Sequence, residues 1–177
     1  MAYPKITVNT NKALAVIASD TYPIPSPSAV QLSGVASATT TDKLVAAASN
    51  FSNVVVGDIV YNTSDNTVTQ VTAVDSNTTL SVDDNIFANG ENFIVFQAGP
   101  HFEKRIESSS GCILYVGSNE GTMDVAKSFV DVKVKTSAGS IVTFSNFPVG
   151  EYLPVQVLQL YATGTDAAAD NNCLAIW

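Results

Sequence analysis

The sequence predicts an all-β protein: an antiparallel, jelly-roll-like β-sandwich with an inserted small β-barrel. Three observations carry the prediction. Charged residues are only 14% of the 177, which is too few for a disordered chain. Ala, Ser, Thr, Asn and Val are abundant, whereas Leu, Glu and Lys are too scarce for a mostly helical protein. Short apolar runs with period-two alternation are separated by Asn/Asp/Ser/Gly clusters, the rhythm of short strands and turns.

In chain order, residues 5–8 and 13–17 read as opening strands around the polar stretch 9–12. Residues 18–27 follow, with Pro23, Pro25 and Pro27 at alternate positions. Such spacing stiffens the backbone into an extended arm that cannot join the middle of a sheet. Residues 31–98 read as a meander with strands at 43–47, 54–61, 68–74, 79–82 and 93–96. Between them lie 62–66, 75–77 and 83–85, where Asn and Asp side chains can bond their own backbone. Residues 43–48 also suit a helical turn with Asp42 as its N-cap. This stretch is expected to be an SH3-like or OB-like barrel, inserted into a sandwich built from 1–30 and 99–177.

Beyond it, 111–117 reads as a buried strand. Val130, Val132 and Val134 alternate with Asp131, Lys133 and Lys135, giving one dry and one wet face. A turn at 137–140 returns the chain as a hairpin partner at 141–144. Residues 147–165 organise the rest. Pro148 and Gly150 make a turn, and Val155 and Val157 alternate with Gln156. The phase then slips at Val157 and Leu158, as a β-bulge or a strand buried on both faces would require. The apolar end, 173–177, is expected to tuck into a sheet.

The charge balance limits function. Sixteen acidic and eight basic residues give a net charge of −8, and Arg105 is the lone arginine. Nucleic-acid binding needs clustered Lys and Arg to displace counterions, so it is not expected. No signal pattern opens the chain and no apolar run approaches membrane length, so folding in a cytoplasm is expected. There Cys112 and Cys173 are expected as buried thiols, not a disulfide. Asn50, Asn62 and Asn77 begin glycosylation patterns that an Asn/Ser/Thr-rich composition produces by chance.

Catalytic material is scarce. His101 is the only histidine, and nothing arranges it beside Cys112, Cys173 or a serine. One histidine and two distant cysteines are poor zinc ligands. Asp83, Asp84, Asn85, Asn89, Gly90 and Glu91 offer oxygen ligands without EF-hand spacing, so an Asx-rich turn is expected there, not a calcium site. Asp166 and Asp170 read as solvated. Tyr61, Tyr115, Tyr152, Tyr161 and Trp177 could stack on sugars, but packing is the default for strand aromatics. No cofactor, metal or catalytic residue is expected.

Residues 18–25 (ASDTYPIP), 112–117 (CILYVG), 130–144, 147–165 (FPVGEYLPVQVLQLYATGT) and 174–177 together carry a resemblance. They resemble the small β-sandwich family of spike-base proteins on the heads of gene transfer agents and related tailed phages. The LPVQVLQLYATGT segment is its most specific part. Family members usually run from the arm almost directly into the LYVG strand. Here about 70 residues intervene, and Trp177 replaces the usual C-terminal tyrosine. Part of the insertion, 40–82, resembles a β module of marine tailed-phage structural proteins.

The resemblance implies a non-enzymatic virion protein, bound to the head as spike base, decoration or cement subunit. Its partners would be the major capsid protein or other virion proteins and its own copies, as a trimer or pentamer. Tyr22, Pro23, Pro25 and Pro27 of the arm, with Tyr161, Thr163, Thr165 and Trp177, are the expected interface. Alternatives are a tail or baseplate adaptor, and a module binding a host glycan through Tyr61 or Phe87.

Overall fold

The computed structural model describes residues 12–98, 111–117, 129–166 and 172–177. The protein is all-β, with two antiparallel sheets packed as a sandwich and, among the described residues, no α-helix. The six-stranded sheet comprises β1 (Ala13–Ala15), β9 (Cys112–Tyr115), β10 (Phe129–Thr136), β11 (Ile141–Pro148), β12 (Tyr152–Leu160) and β13 (Leu174–Ile176). Its order is β1-β13-β9-β12-β10-β11, so the apolar end of the chain does enter a sheet, between β1 and β9. The seven-stranded sheet comprises β2 (Val30–Val35), β3 (Ala38–Thr40), β4 (Lys43–Val45), β5 (Ile59–Asn62), β6 (Thr67–Ser76), β7 (Thr79–Val82) and β8 (Asn92–Phe96). Its order is β2-β8-β5-β6-β7-β4-β3. The expected strand 5–8 lies outside the described residues.

β10 follows the predicted alternation, with Val130, Val132 and Val134 buried in the six-stranded sheet's core. The slip in β12 is a bulge. Lys135 pairs with Gln159 but Thr136 with Val157, so Leu158 is the extra residue. Pro154 is tolerated in this central strand because β12 has irregular register with β9 between Tyr152 and Gln156, where a missing N–H removes no ladder bond.

The seven-stranded sheet differs from its reading in two places, and at 43–45 it bears out the strand over the helical-turn alternative. β2 and β3 were not foreseen, because Ser33, Gly34 and the Ala/Thr run mask any alternation. Residues 43–45 are a strand and not a helical turn: Asp42 adopts φ 53 in a two-residue turn pairing Thr40 with Lys43. Finally, 54–58 is no strand. Gly57 has φ 96, and the Asp58 carboxylate folds back onto Val55 N–H (2.9 Å).

Leu44, Val60, Val71, Leu80, Phe93 and Val95 form one core inside this sheet with Phe51 and Phe87. β5 is buried on both faces, which is why its residues read as a continuous apolar run. Val60 faces that core, while Ile59 and Tyr61 join Phe96, Ala98, Ile17 and Tyr22 in the cluster between the sheets.

Candidate functional site

The arm and β12 come together, and the contact follows from their local chemistry. The alternate carbonyls of Leu158 and Leu160, at the bulged end of β12, face the arm, which supplies donors from its non-proline residues. Ser19 N–H bonds Leu160 C=O (2.9 Å) and Ile24 N–H bonds Leu158 C=O (2.8 Å). Gln159, nearly buried, donates from Nε2 to Ser19 C=O (2.9 Å). Ile24 is buried in the six-stranded sheet's core, Pro25 is buried beside it in the chain, and Tyr22 is buried in the cluster between the sheets, while Pro23 stays exposed and Pro27 opens a short 3-10 turn, Pro27–Ala29.

The turn after β12 is fastened on two sides. Thr163 donates to Asp20 of the arm from N–H (2.9 Å) and from Oγ1 (2.6 Å). On the other side, Tyr161 N–H bonds Lys133 C=O and Asp166 N–H bonds Asp131 C=O, both at 2.9 Å. Thr165 Oγ1 accepts from Lys133 N–H (3.0 Å), and Asp166 Oδ2 accepts from Asp131 N–H (2.8 Å). Lys133 Nζ also lies 5.1 Å from the Tyr161 ring centre. Gly164 is required here: its φ is 93, and a Cβ would lie 2.9 Å from Lys133 Cδ. Asp166, expected to be merely solvated, therefore holds this turn, while Asp170 lies outside the described residues. Asp20 and Asp131 were missed because lone carboxylates in polar loops carry no sequence signal.

The Thr163 hydroxyl and N–H hold the Asp20 carboxyl below the ordinary aspartate range. A depressed carboxyl pKa contributes stability that is present above the unfolded value and lost as pH falls through the folded one. The turn is therefore expected to loosen only below the ordinary aspartate range. The Thr163 amide resonance should shift there in a pH titration, and that shift should vanish in Asp20→Asn.

The eight expected interface residues thus divide. Tyr22, Pro25 and Thr165 are buried within their own chain; Pro27, Tyr161 and Trp177 are half-buried; Pro23 and Thr163 are exposed. The Tyr22 hydroxyl reaches the seven-stranded sheet, at 2.9 Å from Asp83 Oδ2 and 3.0 Å from Asp84 Oδ2. Burial, then the two carboxylates, pushes its phenol well above the ordinary tyrosine value. Beside the arm is a cavity of about 210 Å³ lined by Pro23, Ile24, Cys112, Lys135, Leu158 and Trp177, among others.

Cys112 Sγ donates to Val157 C=O (3.3 Å), and burial pushes its thiol up to about 12. That disfavours the thiolate a nucleophile needs. Cys173 is buried in the same core, and no disulfide joins the two. His101 lies outside the described residues. The oxygen ligands of 83–91 do not converge. Asp83 and Asp84 face Tyr22, and Asn85 Oδ1 accepts from Asp42 N–H (3.1 Å). Glu91 Oε2 instead accepts from Ala88 N–H (2.6 Å) and Asn62 Nδ2 (2.8 Å). A hydrogen bond to Glu91 holds the Asp65 carboxyl above its ordinary range, while Ala88 N–H holds Glu91 below its own. Among the described residues no three of His, Cys, Asp or Glu group to hold a metal.

The glycan alternative loses its named contacts. Tyr61 is 2% exposed and Phe87 3%. Tyr115 and Tyr152 pack on each other, with ring centres 5.3 Å apart. Asn62, one of the glycosylation matches, is fully buried and donates to Ile86 C=O (2.7 Å). Among the described residues, no helix is long and apolar enough to cross a membrane. No family model matches the chain, and no curated protein or solved structure matches it significantly.

Proposed function

We propose that the chain is a non-enzymatic structural protein of a tailed-phage particle, bound to the assembled head as spike base, decoration or cement subunit. The observation that carries this reading is the docking of the arm along the bulged end of β12. The stretch most specific to the head spike-base resemblance, 153–165, and the arm, 18–25, which also carries it, are far apart in sequence. They meet as one unit locked by Asp20 and Thr163. The carboxylates, hydroxyls and thiol described above are engaged in holding segments together, which also suits a scaffold.

In this reading the outer side of the arm and turn, with Pro23, Thr163, Tyr161 and Trp177, faces the capsid protein or another virion protein. Several copies on one particle then accumulate an affinity that no single copy has. We read the seven-stranded sheet as the inserted barrel, directed away from the shell. Its two edge strands, β2 and β3, are separated only by Ala36 and Ser37, and its halves enclose one core. A tail or baseplate adaptor is the same architecture attached elsewhere.

The test is sedimentation of purified protein with particles assembled without it. Saturable binding at a fixed number of copies per particle is expected, weakened by Trp177→Ala together with Pro23→Ala. Failure to sediment with particles overturns the reading.

A further inference from the structure

β11 is the edge of the six-stranded sheet; among the described residues, nothing pairs with its outer side. The direction of its backbone groups follows from its neighbour. Lys133 directs both its C=O and its N–H toward the turn after β12, bonding Tyr161 N–H and Thr165 Oγ1. Its partner across the ladder is Thr143. Lys133–Thr143 is therefore a non-hydrogen-bonded pair, and the N–H and C=O of Thr143 point outward. By alternation so do those of Ile141. Near Phe147 the strand carries an extra residue: Asn146 adopts φ 53 and donates N–H to Asp131 Oδ1 (2.8 Å). Residues 141–145 remain as a regular edge.

Natural edges are blunted by lysines, prolines or inward charges. This edge has none of these along 141–145, and the whole stretch 137–150 contains no Asp, Glu, Lys or Arg. Ile141 is 58% exposed and Val142 38%.

We propose that β11 pairs antiparallel with β11 of a second copy, about a two-fold axis at Thr143, joining two six-stranded sheets into one. Charge selects this occupant. A chain of net charge −8 repels its own copy over most of its surface and meets it at least cost across an uncharged strip. The register is self-complementary. Thr143 faces Thr143 of the other copy, and Val142 faces Phe144 twice, a β-branched residue against an aromatic one. The lysines of the two β10 strands stand three strand spacings apart, about 14 Å, beyond the screening length at physiological salt. The inference does not depend on attachment to a head. It gives an even copy number, where a trimer or pentamer needs a second, different contact.

Light scattering on the isolated protein across a concentration series tests it. Wild type should approach the two-chain mass, and Thr143→Lys should keep the one-chain mass with the melting curve of dilute, single-chain wild type. Thr143→Pro should also stay single-chain, because the N–H it removes points outward. Wild type of one-chain, trimer or pentamer mass overturns the pairing, as does either variant that still forms the pair. Particle sedimentation reads the proposed function separately, so either can fail alone.

Discussion

Asp58→Ala is expected to destabilise the protein by about 3–5 kcal/mol, seen as a lower urea midpoint without loss of the native fold at zero denaturant. Asp58 is fully buried and ties three segments together. Its Oδ2 accepts from Gln31 Nε2 (2.5 Å) on β2 and from Val55 N–H (2.9 Å), and its Oδ1 accepts from Ala98 N–H (2.9 Å). Alanine would leave the buried Ala98 N–H and the part-buried donors of Gln31 and Val55 without this acceptor, at about 1–3 kcal/mol for a fully buried donor and less for the part-buried two. Asp58→Asn keeps one carbonyl oxygen and should lose less. Because asparagine matches aspartate in volume, equal losses in the two variants would mean that the volume and the single oxygen it keeps do not hold the junction without the second oxygen.

Phe96→Ala is expected to lose a similar amount, about 3–5 kcal/mol, through the cavity left by a fully buried ring. Its distinguishing effect is on cooperativity. Phe96 packs edge-on against Tyr61 at 5.0 Å within the cluster between the sheets, which includes Ile17 and Tyr22 of the other side. Phe93, three residues earlier on β8, sits wholly inside the seven-stranded sheet's core, against Phe51 and Phe87. Phe96→Ala should therefore separate calorimetric unfolding into two transitions. Phe93→Ala should lower the stability of the seven-stranded sheet selectively. One sharp transition in Phe96→Ala would show that the sheets are coupled by more than this cluster.

What the sequence showed and what it hid follow from the same physics. The alternation of Val130, Val132 and Val134, the turn clusters and the phase slip at Leu158 are local signals, and each corresponds to a local structure. At 62–66, Asn62 Oδ1 accepts from Ser64 N–H (3.0 Å), as a turn-forming Asn should. Apolar periodicity, however, says that a face is covered and not by what. Tyr61 and Phe87 lie next to Asn/Asp-rich turns, which made them candidates for a glycan contact, yet both face packed clusters. The 54–58 run was apolar enough for a strand, but Gly57 and the buried Asp58 make it a turn. Of the expected interface, Tyr22 turns into the cluster between the sheets and Thr165 onto Lys133 of β10, both partners within the same chain. The Asp20–Thr163 lock spans 143 residues, a separation no local pattern encodes.

Gold-labelled antibody on gradient-purified particles tests most directly whether this is a particle protein. Label on the capsid heads in a regular, countable arrangement is expected. Label confined to the soluble fraction of the lysate, with bare particles, would contradict it.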